Sequence, residues 1–266
     1  MIGLLLSLLG IGLVSALVED DDDQNEIRTS NEPENVTGSA DVDIIDTAGG
    51  DDTVFAGAGS DLVNAGSGDD RVFGQGDPDL VFGGEGDDFI RGGSDGDLLT
   101  GDAGEDTIFG DVGDDLIAGA DIFDSAALFD ALDGATRVPN ISDFIDITLE
   151  TGEADTLDGG LDNDSIIAGS NDEVITGTGA DRVDIGDWII PNEPAVITDF
   201  DPAEDVIFYS YTGATPPNVF FGEDADTGDL TVEVAISDQE NAVVALLTGV
   251  DFFDVGPNNL FLVPLG

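Results

Sequence analysis

One aliphatic residue recurs every nine positions against a background rich in Gly and Asp. Nine consecutive nine-residue units run without a gap from residue 38 to residue 118. Their eighth position is always aliphatic: Ile45, Val54, Val63, Val72, Val81, Ile90, Leu99, Ile108 and Ile117. The last three residues of each unit predict a short strand whose middle side chain points inward while its neighbours point outward. A fixed period of nine predicts a parallel β-solenoid.

The sixth position of every unit is aspartate. The nine aspartates are Asp43, Asp52, Asp61, Asp70, Asp79, Asp88, Asp97, Asp106 and Asp115. The first six residues of a unit predict a turn, in which Gly supplies backbone angles that other residues avoid. Two units make one coil, so each unit stacks on the next but one. Because stacked turns gather carboxylates and carbonyls, and calcium takes about 6–8 hard oxygen ligands, the pattern predicts calcium sites.

The repeat stops at residue 119 and resumes at residue 150. Units 150–158 and 159–167 carry Asp155 and Asp164, and a last unit, 176–184, carries Asp181. Between them we expect a shortened unit with Glu173 at its sixth position and Ile175 at its eighth. These residues predict further calcium ligands between stacked turns. In the first block, nine units that stack two apart give seven stacked pairs.

At this point the chain resembles the RTX (repeat-in-toxin) family, whose nonapeptides follow the pattern G-G-x-G-x-D with an aliphatic residue after it. Unit 83–91, GGEGDDFIR, shows the match best. Some units depart from it, with Asp at position four or a residue other than Gly at position two: Asp41, Asp77, Asp95, Ala48, Gln75, Asp102 and Asp111. The resemblance implies calcium-dependent folding after export from a Gram-negative cell, and an extracellular or cell-surface location.

Composition excludes several functions. The net charge is −55, and the chain has five Arg, no Lys, no His and no Cys. Nucleic-acid binding is excluded because it needs cations that neutralise phosphates. The missing His and Cys remove the usual general base, catalytic triads and thiolate metal sites. Paired acids could still hydrolyse glycosides. However, the repeat by itself places acids close together, so their proximity is no sign of an active site, and we expect no enzyme.

Five segments follow from these patterns. Residues 1–37 hold an apolar run, 2–18, which predicts either a cleaved signal peptide or a retained anchor, and an acidic spacer. Residues 38–118 predict a calcium-binding β-roll. Residues 119–149 form an insert with a short helix over 124–134, and 150–190 a second roll block. Residues 191–266 predict an antiparallel β cap, which protects the open end of the solenoid.

The fold class expected is therefore all-β: a parallel β-roll of nonapeptide repeats with a C-terminal antiparallel cap. We expect a non-enzymatic, exported or surface-associated protein that folds on binding several Ca²⁺ ions. The alternative is a calcium-rigidified adhesin or matrix module that binds polysaccharide or itself; a carboxylate-based hydrolase ranks below both. A membrane contact is expected only through the N-terminal apolar run.

An aliphatic column at position seven is not required by the motif. Side chains there should point outward, yet one face carries, at every second unit, Ile44, Leu62, Leu80, Leu98 and Leu116. A stripe of this kind, about 20 Å long, is a patch that soluble monomers tend to cover. We predict that it is buried, by residues 126–132 of the insert or, as second choice, by the roll of another copy.

Overall fold

The computed structural model describes residues 25–119, 153–224, 227–237, 240–251 and 253–265. All regular elements in these ranges are β-strands, which form two sheets. The first sheet contains, in spatial order, β1 (Asn25–Arg28), β3 (Asp43–Asp46), β5 (Leu62–Ser67), β7 (Leu80–Glu85), β9 (Leu98–Ala103), β11 (Leu116–Ala118), β13 (Ser165–Ile167), β15 (Arg182–Gly186), β17 (Val206–Thr212) and β21 (Leu260–Leu265). The second contains β18 (Val219–Glu223), β19 (Leu230–Ser237), β20 (Glu240–Leu247), β16 (Ala195–Ile197), β14 (Glu173–Ile175), β12 (Thr156–Leu161), β10 (Thr107–Val112), β8 (Phe89–Ser94), β6 (Arg71–Gly76), β4 (Thr53–Ala58) and β2 (Asn35–Thr37). The all-β, parallel-roll fold class is thus confirmed.

Successive strands alternate between the two sheets, so one coil takes two units. Leu80 pairs with Leu62 and with Leu98, and Val72 pairs with Val54, always two units apart and parallel. The position-eight side chains fill the space between the sheets and are fully buried. This aliphatic column forms the hydrophobic core. Its burial stabilises the fold by about 25 cal/mol for each Å² of apolar surface removed from water.

Tight turns link the strands and explain the Gly pattern. Positions two and four have positive φ in the units after the first, as at Gly84 (φ 114°) and Gly86 (φ 123°). Neighbouring coils approach so closely that a Cβ on Gly84 would overlap the carbonyl oxygen of Gly66. Several units place other residues in this left-handed region, among them Gln75 (φ 87°) and Asp95 (φ 74°), and these positions carry backbone strain.

The insert does not disturb the stack. Thr107 pairs with Thr156 and Leu116 with Ser165, in the register that the repeats would have if residues 119–149 were removed. The helix expected over 124–134 lies outside the described residues. The chain therefore leaves the roll after β11 in the first sheet and re-enters it at β12 in the second.

The parallel stack extends beyond the recognisable repeats. Residues 191–266 were expected to form an antiparallel cap, and β18, β19 and β20 do pair antiparallel. However, β16 and β17 continue the two parallel sheets, and β21 adds a further parallel strand beside β17. The antiparallel part is thus a three-stranded extension of the second sheet, joined through β20 to β16.

The outward aliphatic column is buried, as the sequence predicts. Leu62, Leu80, Leu98 and Leu116 are at most 1 % exposed, and Ile44 at the end of the column is half-buried. These four leucines are separate from the core between the sheets. The segment expected to cover them lies outside the described residues.

Candidate metal centre

Each position-six aspartate lies at the end of a turn and is hydrogen-bonded to the coil next to it. The backbone N–H of Asp70, for example, donates to Oδ1 of Asp88 at 2.8 Å. The same bond, at 2.7–2.9 Å, joins Asp43–Asp61, Asp52–Asp70, Asp61–Asp79, Asp79–Asp97, Asp88–Asp106, Asp97–Asp115, Asp106–Asp155, Asp115–Asp164 and Asp164–Asp181. All twelve aspartates proposed from the sequence therefore lie in these stacks.

The aspartates form two columns, one along each edge of the roll. Asp61, Asp79 and Asp97 precede strands of the first sheet, and Asp70 and Asp88 precede strands of the second. The alternation follows from the nine-residue unit, because each unit supplies one turn and one strand. Each column is a row of carboxylates spaced by about one strand separation, roughly 4.8 Å.

The second carboxylate oxygen of these side chains is buried and has no hydrogen-bond partner. The atoms concerned are Oδ1 of Asp43 and Oδ2 of Asp52, Asp61, Asp70, Asp79, Asp88, Asp97, Asp106, Asp115, Asp164 and Asp181. A buried polar atom left without a partner costs roughly 1–3 kcal/mol, and more when it carries charge. Eleven such atoms in regular rows form an arrangement in which a bound cation would supply the missing partner.

The orphaned oxygens are packed against the first glycine of their own turn, close to a carbonyl of the next coil. A Cβ placed on Gly159 would lie 2.5 Å from Oδ2 of Asp164 and 2.5 Å from the carbonyl oxygen of Thr176 in the next coil. The equivalent point at Gly83 is likewise close to Oδ2 of Asp88 and to a carbonyl of the next coil. Glycine at position one thus permits a tight cradle, in which a carboxylate and a carbonyl of the next coil converge on the glycine, and calcium binds oxygen atoms of these two kinds.

Backbone groups are essential to this cradle. Within the described part of the chain, no group of three acidic side chains is placed to hold a metal ion. Each level of a column brings one position-six carboxylate, so the remaining ligands have to come from turn carbonyls. Carboxylates combined with carbonyls form a hard oxygen set that suits Ca²⁺.

Burial changes the acidity of the columns. Desolvation raises the pKa of Asp97 to about 9, and those of Asp79 and Asp88 to about 8. At the ends of the stacks the same cause raises the pKa of Asp155 and of Asp181 to about 6. Hydrogen bonds from the neighbouring amides oppose the shift but are weaker than desolvation. The folded roll therefore disfavours bare charged carboxylates and favours a counter-charge beside them.

The shortened unit was misassigned in the sequence analysis. Oδ1 of Asp172, not Glu173, accepts the N–H of Asp155, at 3.2 Å. Val174, not Ile175, points into the core, and Glu173 is exposed at position seven. Here two adjacent acids are followed by two adjacent aliphatic residues, so the sequence fits either register of the unit. Strand pairing selects the register that buries Val174.

Asp205 is a further member of the carboxylate column, which the nine-residue pattern does not predict. Its Oδ1 accepts the N–H of Asp181 at 3.0 Å, which extends the column by one level. Its Oδ2 is satisfied within the protein, by Thr176 at 3.2 Å and by the N–H of Asp201 at 2.7 Å. Asp205 therefore closes the column with protein hydrogen bonds. The 24-residue spacing from Asp181 hides it from a nine-residue period.

A family model for the RTX calcium-binding nonapeptide repeat matches this chain at residues 37–72, 64–99, 82–117, 91–125 and 151–184. These stretches include all twelve aspartates proposed from the sequence. No curated protein matches the chain.

Among solved structures, the chain is similar to the extracellular lipase LipA from Serratia marcescens. The two are 15 % identical with a TM-score of 0.26, over 92 % of this chain and 40 % of the lipase chain. This chain thus spans well under half the length of that protein. The two stretches 37–125 and 151–184 therefore carry RTX calcium-binding nonapeptide repeats.

Proposed function

We propose that this protein is a non-enzymatic, exported or surface-associated calcium-binding protein whose roll folds on binding Ca²⁺. The observation that carries the proposal is the row of eleven buried carboxylate oxygens without a partner. The match of the repeats to the RTX calcium-binding nonapeptide supports calcium as the cation. Export from a Gram-negative cell is proposed from the resemblance to RTX proteins.

The position-six aspartates would hold the ion through their free oxygen. In the folded roll, Oδ1 of Asp88 accepts the N–H of Asp70, which orients the carboxylate and leaves Oδ2 for the ion. The glycine at position one, Gly83, lets Oδ2 of Asp88 and the carbonyl oxygen of Gly101 come close together, where both could contribute to a calcium site. Bound calcium would supply positive charge between coils, where two negative turns otherwise face each other.

Folding and binding should be coupled. The ligands of one site come from two turns that are one coil apart in the chain, so no site exists in the unfolded chain and the binding free energy contributes to folding. The charge of −55 opposes compaction when no cation is present. A chain that stays open at low cytosolic calcium and folds outside the cell suits passage through an export apparatus.

The absence of an enzymatic function is proposed from the chemistry of the chain. It has no His and no Cys. The buried acids occupy equivalent positions in a repeat, whereas hydrolases set two carboxyl groups apart by giving them different environments.

Within the described residues, no helix is long and apolar enough to cross a membrane. The apolar run 2–18 lies outside these ranges.

Counting bound ions tests the proposal. We expect equilibrium dialysis followed by metal analysis to find at least seven Ca²⁺ per chain, because the nine units of the first block form seven stacked pairs. Only one or two ions per chain would contradict the assignment of the columns. Magnesium at equal concentration should compete poorly, because it demands near-ideal octahedral geometry.

A polysaccharide-binding surface is a second candidate function, favoured by one feature of the second sheet. Its outer face carries a row of four phenylalanine rings, Phe55, Phe73, Phe89 and Phe109, with neighbouring centroids 4.9–6.0 Å apart. Phe55 is 37 % exposed, and Arg91 lies over the ring of Phe109. Aromatic faces and a guanidinium offer contacts for sugar rings.

Retention on a polysaccharide affinity matrix in calcium would test this second function. We expect Phe73→Ala/Phe89→Ala to lose retention while keeping calcium binding. Equal retention of the variant and the parent would contradict it. Val112→Ala, an exposed position of the same sheet away from the ring row, is the matched control.

A further inference from the structure

The two outer faces of the roll differ in how far they are covered. On the first sheet, the outward residues Phe82, Thr100 and Ala118 at position nine are fully buried, as are the position-seven leucines. On the second sheet, Phe55 is 37 % exposed and the side chain of Arg91 is 47 % exposed. Both faces are built from the same nine-residue unit, so the strands themselves do not cause the difference.

No described strand accounts for this burial. The strands that contact β7 and β9 extensively are, within the described ranges, their neighbours in the sheet and the strands before and after them in the chain. None of these lies over the outer face. The first-sheet stripe, defined as Leu62, Leu80, Phe82, Leu98, Thr100, Leu116 and Ala118, is therefore covered by a part of the protein beyond these strands.

The position of the stripe along the roll points to the insert. Burial is complete beside β11 and decreases toward both ends, since Ile44 and Arg182 on the same face are half-buried. The insert begins at residue 119, directly after Ala118, the last residue of β11. The N-terminal segment instead joins the roll at β1, one strand beyond Ile44 and far from the middle of the stripe.

The register of the roll leaves the insert free for this role. Asp106 and Asp155 are hydrogen-bonded although they lie 49 positions apart in the sequence. That separation equals one two-unit coil plus the whole of 119–149. The insert therefore contributes no level to the stack. Its sequence is apolar at 126–129, AALF, and again at Ala131 and Leu132. A helix over 124–134 would be about 16 Å long, close to the length of the stripe.

We propose that the insert 119–149 folds back over the first-sheet stripe and keeps this face of the roll from associating with a second copy. The burial of the stripe and the register of the roll, which support this proposal, do not depend on calcium ligation. Four leucines and a phenylalanine in a row would otherwise form a hydrophobic patch of the kind that drives association.

Thiol labelling tests the proposal cleanly, because the chain has no cysteine. In the full chain with calcium, Thr100→Cys places a near-isosteric thiol in the stripe, and Arg91→Cys places one at the matching position nine of the opposite face. We expect Thr100→Cys to react on the order of 100-fold more slowly, because its reaction requires local opening. Adding Leu128→Asp/Leu132→Asp in the insert should raise its rate toward that of Arg91→Cys.

Leu5→Asp/Leu9→Asp, in the N-terminal apolar run, is the matched control and should leave the rate unchanged. If this N-terminal variant raises the labelling rate of Thr100→Cys while the insert variant does not, the N-terminal run covers the stripe and the proposal is wrong. Protection that disappears on dilution would identify a second copy as the cover and would also overturn it. Rapid labelling of Thr100→Cys in the otherwise unchanged chain would contradict burial itself.

Deletion of 119–149 gives a second readout. It joins Ala118 to Glu150 and restores an uninterrupted nine-residue period. We expect this variant to bind the same number of calcium ions and to sediment as a dimer or larger species, and Leu80→Asp in it should restore the monomer. A deletion variant that binds calcium normally and stays monomeric would contradict the proposal; if it does not bind calcium, the labelling result decides.

Discussion

The backbone N–H of Asp106 donates a 2.9 Å hydrogen bond to Oδ1 of Asp155, which lies in the second block of repeats, beyond the insert. The equivalent bond joins Asp88 to Asp106 at 2.8 Å within the first block. The two blocks thus form one continuous column of carboxylates, whose period survives the insertion of 119–149. An excursion of the chain after β11 therefore leaves the carboxylates on either side of it in register.

Loss of one column carboxylate should weaken calcium binding without unfolding the roll. Asp88→Asn keeps an oxygen that can accept the N–H of Asp70 but removes the charge beside the cradle at Gly83. Losing a charged ligand should cost roughly 1–3 kcal/mol, seen as a higher calcium midpoint in a titration followed by circular dichroism. Asp87→Asn changes the exposed neighbour and should leave the midpoint nearly unchanged; equal shifts for both would contradict the assignment.

Acid should partly replace calcium. Desolvation raises the pKa of Asp61 to about 7 and that of Asp97 to about 9, above the ordinary value of 3.8. The folded state therefore binds more protons than the unfolded state, so stability falls as the pH rises through these values. In chelator, we expect more β-structure at pH 5 than at pH 9. With excess calcium, the trend should flatten; a metal-free protein more folded at pH 9 would contradict the shifts.

Close contact with the neighbouring coil should make Gly84 intolerant of a side chain. Gly84 has φ 114°, and a Cβ on it would overlap the carbonyl of Gly66. Gly84→Ala should therefore destabilise the calcium-loaded roll by more than about 1 kcal/mol, measured by urea denaturation. The matched control is Gly76→Ala, whose Cβ would make only an ordinary 3.5 Å contact with Ser94 and should cost much less.

Relief of a strained turn should stabilise the protein. Gln75 is exposed and has φ 87°, in the region that favours glycine. Such a conformation costs on the order of 1–3 kcal/mol, which exceeds the extra entropy of glycine in the unfolded chain, about 0.4–1 kcal/mol. We expect Gln75→Gly to raise the free energy of unfolding in urea at saturating calcium by roughly 1 kcal/mol. A destabilised variant would show that the side chain contributes more than its backbone strain removes.

Most of the roll could be predicted from the sequence because every unit repeats the same local chemistry. Val81 and Asp79 take the inward and turn positions that the period assigns to them. The prediction failed where that chemistry is ambiguous, at Asp172 and Glu173, since only pairing with β12 distinguishes the two registers. It also missed Asp205, because a loop of irregular length precedes it. The parallel pairing of β16 and β17 carries no glycine signature, so only the structure reveals that the stack continues.

We propose above that calcium completes and folds the roll. The most direct measurement is far-ultraviolet circular dichroism of the full chain at pH 7.5 during a calcium titration that starts in chelator. We expect a largely unfolded spectrum in chelator and a cooperative gain of β signal near millimolar calcium, with loss of the signal when chelator is restored. The same β content with and without calcium would contradict it.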